Sequence, residues 1–234
     1  DITGLQTFFR FHETGMLLST MSQWGWHSFP NPENYTLKDV LVEYDTYGRK
    51  VPYADGPVDD EKGEGRSERA KAANAWLRAN PHRLDLANIG LLMKKADGSD
   101  PAPAELSDVK QTLNLWTGEL ESRFKLEGEP FCVRTICHPD RDLLAVRIET
   151  GLFAKSRARL RIAFPYAAGG WTKAAHWDDP EKHPLIYDSR KRGLNVEHVM
   201  DDTRYHVAIE TDGATTIQKT GGLHLLLDTK SKVM

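Results

Sequence analysis

Four stretches between residues 119 and 164 alternate apolar with polar side chains, and this pattern constrains the fold more than any other feature. In residues 119–126, Leu120, Phe124 and Leu126 share one side, while charged side chains occupy the other. A period of two is typical of a β-strand with one buried face. Three further strands are predicted over residues 131–138, 143–149 and 157–164. Short turns join these strands, so we expect an antiparallel meander.

The rest of the chain adds more strands and one main helix. The helix is predicted over residues 68–79, with Ser67 as its N-cap and Pro81 closing it. Residues 166–197 are predicted to be irregular, apart from a short strand at 185–188. Further strands are predicted over residues 43–53 (a hairpin), 83–92, 205–211, 215–219 and 223–228. About a dozen strands predict an all-β, mainly antiparallel fold: a large two-sheet twisted β-sandwich formed by residues 1–234 as a single domain.

Charge and motifs exclude several classes of function. The formal net charge of −3 argues against a nucleic-acid partner. No apolar run approaches the roughly 20 residues that cross a bilayer, so we expect no membrane partner. Cys132 and Cys137 lie five residues apart on one predicted strand and face opposite sides, which predicts two free thiols. No nucleophile or phosphate-binding motif is present, and we expect no cofactor.

Histidines and carboxylates offer only a weak case for a metal site. His176 and His183 are the closest histidine pair in the late irregular segment, with Asp178 and Asp179 between them. Such a group could bind a metal ion. The spacing is not diagnostic, and solvated loop residues are the favoured interpretation. We therefore expect no metal site.

Aromatic residues in two irregular segments are more informative. Residues 24–32 hold two tryptophans, a histidine and two prolines, which predicts a rigid loop. Indole rings stack on the C–H faces of sugars, and flanking polar groups bind hydroxyls. The candidate carbohydrate-binding residues are Trp24, Trp26, His27, Ser28, Trp171, His176 and Trp177. The alternative for each tryptophan is packing at the edge of the core, and for His27 a buried structural role.

Several short motifs resemble a known family. These motifs are DITGLQTF at residues 1–8, WGWHSFP at 24–30, QTLNLWTG at 111–118, VRTICHP at 133–139 and DLLAVR at 142–147. Together they resemble the N-terminal β-sandwich of six-hairpin glycoside hydrolases, which include maltose-phosphorylase-like and α-fucosidase-like enzymes. The resemblance is strongest to uncharacterised bacterial members.

The resemblance implies a supersandwich, similar to galactose mutarotase, packed beside an (α/α)6 catalytic barrel. That barrel carries the catalytic acid and base and would follow Met234, so no catalytic residue is expected in this chain. The implied partners are carbohydrate and the barrel, with residues 24–28 forming one wall of the sugar pocket. The sequence begins at Asp1 without an initiating methionine. We expect a processed or trimmed piece of an exported protein, periplasmic or extracellular.

Two other functions fit the same residues. One is a free-standing carbohydrate-binding module that uses the same aromatic side chains. The other is a self-contained sugar-active enzyme of epimerase or lyase type, with histidine and carboxylate as acid and base. A large exposed apolar patch would favour the domain of a glycoside hydrolase. A groove lined by exposed tryptophans would favour the binding module, and a histidine beside a carboxylate in one pocket would favour the enzyme.

Overall fold

The computed structural model describes residues 6–9, 17–54, 67–169, 175–177 and 180–234. These residues form two compact units. Unit 1 comprises the described residues within Asp1–Gly25, Leu84–Ala167 and Ala175–Met234. Unit 2 comprises those within Trp26–Arg83 and Ala168–Ala174. The sequence predicts a single domain over residues 1–234, and the division into two units leaves that as a prediction.

Strands dominate unit 1, and unit 2 combines four strands with the main helix. The strands are β1 (Gln6–Phe9), β2 (Leu17–Met21), β3 (Trp26–His27), β4 (Leu41–Thr46), β5 (Arg49–Ala54), β6 (His82–Arg83), β7 (Ala87–Met93), β8 (Leu106–Leu113), β9 (Leu120–Leu126), β10 (Glu129–Cys137), β11 (Leu144–Thr150), β12 (Ala158–Ala163), β13 (Leu185–Arg190), β14 (Gly193–Met200), β15 (Thr203–Glu210), β16 (Thr215–Lys219) and β17 (His224–Thr229). The α-helix α1 spans Glu68–Ala79, and short 3-10 helices span Leu37–Val40, Pro103–Glu105 and Pro180–Lys182.

Unit 1 contains three sheets. A six-stranded sheet has the order β1-β2-β7-β12-β17-β16, a four-stranded sheet β11-β10-β9-β8, and a three-stranded sheet β13-β14-β15. Every strand pairing within the described ranges is antiparallel. The mainly antiparallel β fold predicted from the sequence is therefore confirmed.

The alternating stretches pack as their period predicts. Leu120, Phe124 and Leu126 of β9 are buried, whereas Arg123 and Lys125 are exposed. Buried side chains from all three sheets of unit 1 form one apolar cluster. Phe124 stacks on Phe131 of β10 within it, with ring centroids 4.6 Å apart. Burial of these apolar faces, at about 25 cal/mol per Å², is the main force that holds the sheets together.

The predicted four-strand meander is correct only for its first three strands. β12 pairs with β7 and β17 in the six-stranded sheet, and not with β11. The physical reason lies in the connection before it. Leu152 and Phe153 are buried there, so the connection is anchored in the core and leads the chain to the other sheet instead of back along β11.

The segment predicted to be irregular contains a long strand. β14 alternates as strictly as β9, with Leu194, Val196, His198 and Met200 buried on one side. A histidine and a methionine in the inward positions obscured that period in the sequence. β13 is also longer than expected and ends at Arg190.

Unit 2 contains the predicted helix and the predicted hairpin. The bounds of α1 match the prediction, and the Ser67 side chain accepts a hydrogen bond from Ala70 N–H as its N-cap. β4 and β5 pair as a two-stranded ribbon, and β3 pairs with β6. No helix in the part of the chain that the structure describes is long and apolar enough to cross a membrane.

Both edges of the four-stranded sheet are modified. On one edge, β8 changes register between Ser107 and Lys110, which is a β-bulge. On the other edge, Met234 exchanges two backbone hydrogen bonds with Ile148 of β11, at 2.9 Å each. Cys132 and Cys137 lie on β10 outside any disulfide, and both side chains are only partly buried, less than the mostly buried thiols that the sequence predicts.

Candidate functional site

One end of the four-stranded sheet collects exposed apolar side chains. The end is formed by the β8–β9 turn at residues 114–118 and the β10–β11 turn at 138–143. The register aligns the two turns, because Leu120 pairs with both Leu113 and Thr135, and Thr135 pairs with Val146. We define the apolar end as the exposed side chains of Trp24, Leu113, Leu115, Trp116, Ile136 and Leu143.

Exposed large hydrophobic side chains are concentrated at the apolar end. Six of the ten in the described part of unit 1 belong to it, and the other four are Leu92, Val109, Trp177 and Ile186. Trp116 is 97% exposed and Leu115 is 89% exposed. From β8 to β11 the end spans three strand spacings, about 14 Å. A concentration of this kind marks an interaction surface more often than scattered exposure does.

The turn that carries Leu115 and Trp116 is held by Asn114. The Asn114 carboxamide oxygen accepts hydrogen bonds from the N–H groups of Trp116, at 3.0 Å, and Thr117, at 3.3 Å. Its backbone carbonyl accepts from Gly118 N–H at 2.8 Å. Gly118 has a φ of 72°, which a residue without a side chain adopts at no steric cost. The turn therefore presents Trp116 on an ordered backbone.

Trp24 is fixed to the β10–β11 turn at the same end. Its indole N–H donates to Asp142 Oδ2 at 2.6 Å, and the Ser22 hydroxyl donates to the same oxygen at 3.2 Å. The Trp24 ring is 52% exposed, with its centroid 6.1 Å from the ring of Tyr205. An indole held this way presents an exposed ring at a fixed position, which suits stacking on a sugar or packing on a protein.

A buried hydrogen-bonded chain supports Tyr205. The Tyr205 hydroxyl donates to Leu86 C=O at 2.6 Å and lies 2.7 Å from His198 Nδ1. His198 Nε2 lies 3.0 Å from His183 Nδ1. Because the tyrosine proton goes to Leu86, His198 donates from Nδ1 and accepts at Nε2 from His183. This arrangement requires the neutral form of His198, with its proton on Nδ1.

Burial determines the protonation states of His198 and Tyr205. Desolvation, together with the neighbouring His183, lowers the pKa of His198 to about 3. Desolvation, with a smaller contribution from Asp85, raises the pKa of Tyr205 well above its ordinary value. The expectation that His183 is a solvated loop residue is wrong, since its side chain is fully buried. The hydrogen-bonded residues support Trp24 through Tyr205, and the lowered pKa keeps His198 neutral near pH 7.

The predicted loop residues that follow Trp24 lie in unit 2. Trp26 is exposed, and the Arg83 guanidinium lies 5.1 Å from its ring centroid. His27 is only 2% exposed, and its ring packs edge-on against Phe29 and His82. Ser28 is exposed. Burial of His27 favours the structural role that the sequence left open, and contact of these residues with sugar stays a prediction.

The late aromatic segment is described in part. His176 is exposed, and its backbone pairs with Tyr166 through two hydrogen bonds. Trp177 is also exposed, with its ring centroid 6.3 Å from His224. Trp171, Asp178 and Asp179 lie outside the described residues. Within unit 1, Trp24 and Trp177 are the candidate tryptophans whose exposed rings are available to a ligand.

Sequence reasoning missed Leu115, Trp116 and Asp142 as members of the site. The sequence places Leu115 and Trp116 between Asn114 and Gly118, and an apolar pair inside a turn is a signal of exposed hydrophobic side chains. Nothing in the sequence indicates that Asp142 binds Trp24, because 118 positions separate them. Among the described residues, no group of three or more His, Cys, Asp or Glu side chains is arranged to hold a metal ion.

Comparison with known proteins does not identify a family. No protein-family model matches the chain, and no curated protein matches it significantly. The resemblance to six-hairpin glycoside hydrolases therefore stays a prediction.

Proposed function

We propose that this chain is a non-catalytic N-terminal domain of a bacterial glycoside hydrolase. In this proposal the fold of unit 1 is a two-sheet twisted β-sandwich of the supersandwich type, similar to galactose mutarotase. The three sheets described above would together make up its two layers. The domain packs its apolar end on a separate (α/α)6 catalytic barrel, and its aromatic loop contributes to the carbohydrate pocket. The parent enzyme acts outside the cytoplasm, on a glycoside.

The apolar end is the observation that supports the proposal. Leaving Leu115 and Trp116 in water costs each side chain the free energy that burial would release, about 1.5–3 kcal/mol. Asn114 orders their turn, so docking would immobilise little further backbone. A partner domain that covers Trp116 would gain this free energy. Trp24 belongs to the same end, which lets one docking surface lie beside a sugar-contacting indole.

The test compares the effect of Trp116→Ala in chain 1–234 alone with its effect in the full-length protein. Trp116→Ala should change the melting temperature of chain 1–234 by less than about 2 °C, because Trp116 is exposed there. In the full-length gene product the same change should lower the melting temperature of this domain by about 4 °C or more, since a central interface tryptophan contributes about 2 kcal/mol. Differential scanning calorimetry gives both values.

The control for that test is Ile186→Ala, another exposed apolar side chain of unit 1 that lies outside the apolar end. It should leave both proteins unchanged. Equal shifts for Trp116→Ala in the short chain and the full-length protein would contradict docking through this end.

A free-standing carbohydrate-binding module is the second candidate, favoured by the fixed and exposed indole of Trp24. If chain 1–234 alone is retarded in native gels that contain a soluble neutral polysaccharide, Trp24→Ala should weaken the binding at least fivefold, about 1 kcal/mol. Trp116→Ala serves as the control and should bind normally. Binding that survives Trp24→Ala would exclude this indole as the platform.

The third possibility, an enzyme of epimerase or lyase type, has no comparable support. His183 and His198 are fully buried, with His183 Nδ1 3.0 Å from His198 Nε2, so neither ring presents an acid or base to a substrate at the surface. A surface cleft in unit 1 is lined by arginine, lysine and glutamate, without a histidine.

A further inference from the structure

The tip of the β13–β14 hairpin forms a small cleft whose lining is entirely charged. Arg190, Lys191, Arg192 and Glu210 surround a volume of about 360 Å³. This volume lies at the lower end of small-molecule pockets, which measure about 300–1,000 Å³. None of the aromatic residues considered above contributes to it, so the cleft is separate from the apolar end and from Trp24.

Gly193 lies between two of the lining residues in the sheet. In the register of the three-stranded sheet, Gly193 pairs with Arg190 on one side and with Glu210 on the other. The three positions therefore lie side by side across the three strands. A Cβ atom at Gly193 would lie 1.9 Å from Ile209 C=O, so only glycine fits here. Arg190 and Glu210 face each other across the gap at 3.7 Å.

The charges around the cleft do not balance. Glu210 is the single carboxylate of the lining and faces Arg190, whereas Lys191 and Arg192 form no ion pair within the described ranges. Asp212, the next acidic residue along the chain, turns away: its Oδ1 accepts from Ala214 N–H and from the Thr215 hydroxyl. Asp188 lies two positions before Arg190 on β13 and does not line the cleft. The four lining residues therefore carry three positive formal charges and one negative charge, a net charge of +2.

We propose that this cleft binds an acidic sugar residue through its carboxylate or sulfate group. Guanidinium groups bind planar and tetrahedral oxyanions through paired N–H donors, and two arginines flank the turn. Three cations fit one or two oxyanions of a glycan, whereas nucleic acids need a broad basic face, and the whole chain carries a net charge of −3. The inference rests on the proposed carbohydrate function and narrows its substrate class to acidic glycans.

The experiment measures binding to size-matched probes by isothermal titration calorimetry at low salt. The probes are pentagalacturonate for carboxylates, a sulfated heparin pentasaccharide for sulfates, neutral maltopentaose, and a single-stranded DNA hexamer. At least one acidic pentasaccharide should bind tenfold or more tightly than maltopentaose, and the tighter of the two identifies the oxyanion. Arg192→Gln should weaken that binding at least fivefold.

Two further variants separate a specific cleft from general charge attraction. Arg204→Gln removes one positive charge from the same sheet, where Arg204 pairs with Glu197 at 3.2 Å, and should change binding less than twofold. Glu210→Gln removes the competing carboxylate and should tighten binding. A melting curve for each variant verifies folding.

Three results would overturn the inference. These are equal affinity for acidic and neutral probes, equal losses for Arg192→Gln and Arg204→Gln, and DNA binding as tight as that of the acidic glycan. If acidic probes fail while Trp24→Ala still abolishes binding of a neutral polysaccharide, the cleft proposal fails alone and the carbohydrate function stands.

Discussion

Trp24 donates its indole N–H to the carboxylate of Asp142 over 2.6 Å and so joins two loops that are 118 residues apart in sequence. The bond links the loop after β2 to the turn between β10 and β11. Because the acceptor is charged, the bond is among the stronger kinds of side-chain hydrogen bond. It decides the orientation of the most exposed candidate sugar-binding indole in unit 1.

This bond predicts measurable coupling between the two residues. Asp142→Asn and Trp24→Phe should each lower the free energy of unfolding by about 1 kcal/mol, and the double variant by less than the sum. The coupling free energy should be about 0.5–1.5 kcal/mol in a double-mutant cycle measured by urea unfolding. Ser22→Ala, which removes the weaker donor to Asp142, is the matched comparison. Strict additivity of the two changes would show that the bond does not hold Trp24 in solution.

Burial of His27 predicts a structural role for that residue. His27→Ala should lower the free energy of unfolding by about 2 kcal/mol, because the ring is 2% exposed and packs against Phe29 and His82. The neighbouring Ser28→Ala, at an exposed position, should cost less than about 0.5 kcal/mol. Urea unfolding measures both. If His27→Ala leaves the free energy of unfolding unchanged, the result would favour the alternative that residues 24–28 form one wall of a sugar pocket.

The buried histidines predict acid sensitivity. The pKa of His198 is about 3 in the folded protein, below its ordinary value of 6.5. As the pH falls below about 6.5, the unfolded chain therefore takes up a proton that the folded chain does not. Stability should be complete above pH 6.5 and should fall as the pH approaches 3, by up to about 1.4 kcal/mol per pH unit for this residue.

Unfolding in urea at several pH values between 7.5 and 4 measures that dependence. Burial also lowers the pKa of His82 and of His224, so several residues contribute to the slope in the unmodified protein. His198→Gln should be less stable at pH 7.5 but should show a shallower slope. The exposed His206→Asn is the control. A slope that is unchanged in His198→Gln would mean that His198 titrates normally in the folded protein.

Gly193 predicts a large effect from one added methyl group. Gly193→Ala should cost more than about 2 kcal/mol, because its Cβ would overlap Ile209 C=O at 1.9 Å. Gly90→Ala is the matched control in another strand, where the nearest heavy atom to an added Cβ lies at 3.8 Å, an ordinary contact. Its cost should stay below about 1 kcal/mol. Similar unfolding free energies for the two variants would contradict the close approach of β14 and β15.

Local patterns predicted the elements of this fold well. β9 to β12 follow the period of two, and α1 begins after the Ser67 cap where the sequence places it. β14 was missed because His198 occupies an inward position that an apolar residue usually takes. Its burial is compensated by hydrogen bonds to Tyr205 and His183, which lie 7 and 15 residues away and outside β14. A local pattern does not carry that information.

Strand pairing and side-chain exposure were harder to predict from the sequence. The alternating pattern of β12 identifies it as a strand but does not identify β7 and β17 as its neighbours. Strand pairing depends on the path of the preceding connection, which is anchored in the core by Leu152 and Phe153. The site shows the same limit. The sequence selected Trp24 for its aromatic context, but Trp116 became a site residue only when the structure showed that its side chain is 97% exposed.

The last three residues of the chain protect the molecule against self-association. A strand edge with open N–H and C=O groups is a template on which a second copy can pair and start an aggregate. Met234 occupies that position along β11, and the bulge near Asp108 disrupts the opposite edge at β8. Deleting residues 232–234 would expose the β11 edge while removing little of the core. Such a truncated protein would fold and yet precipitate at concentrations at which the intact chain stays dispersed.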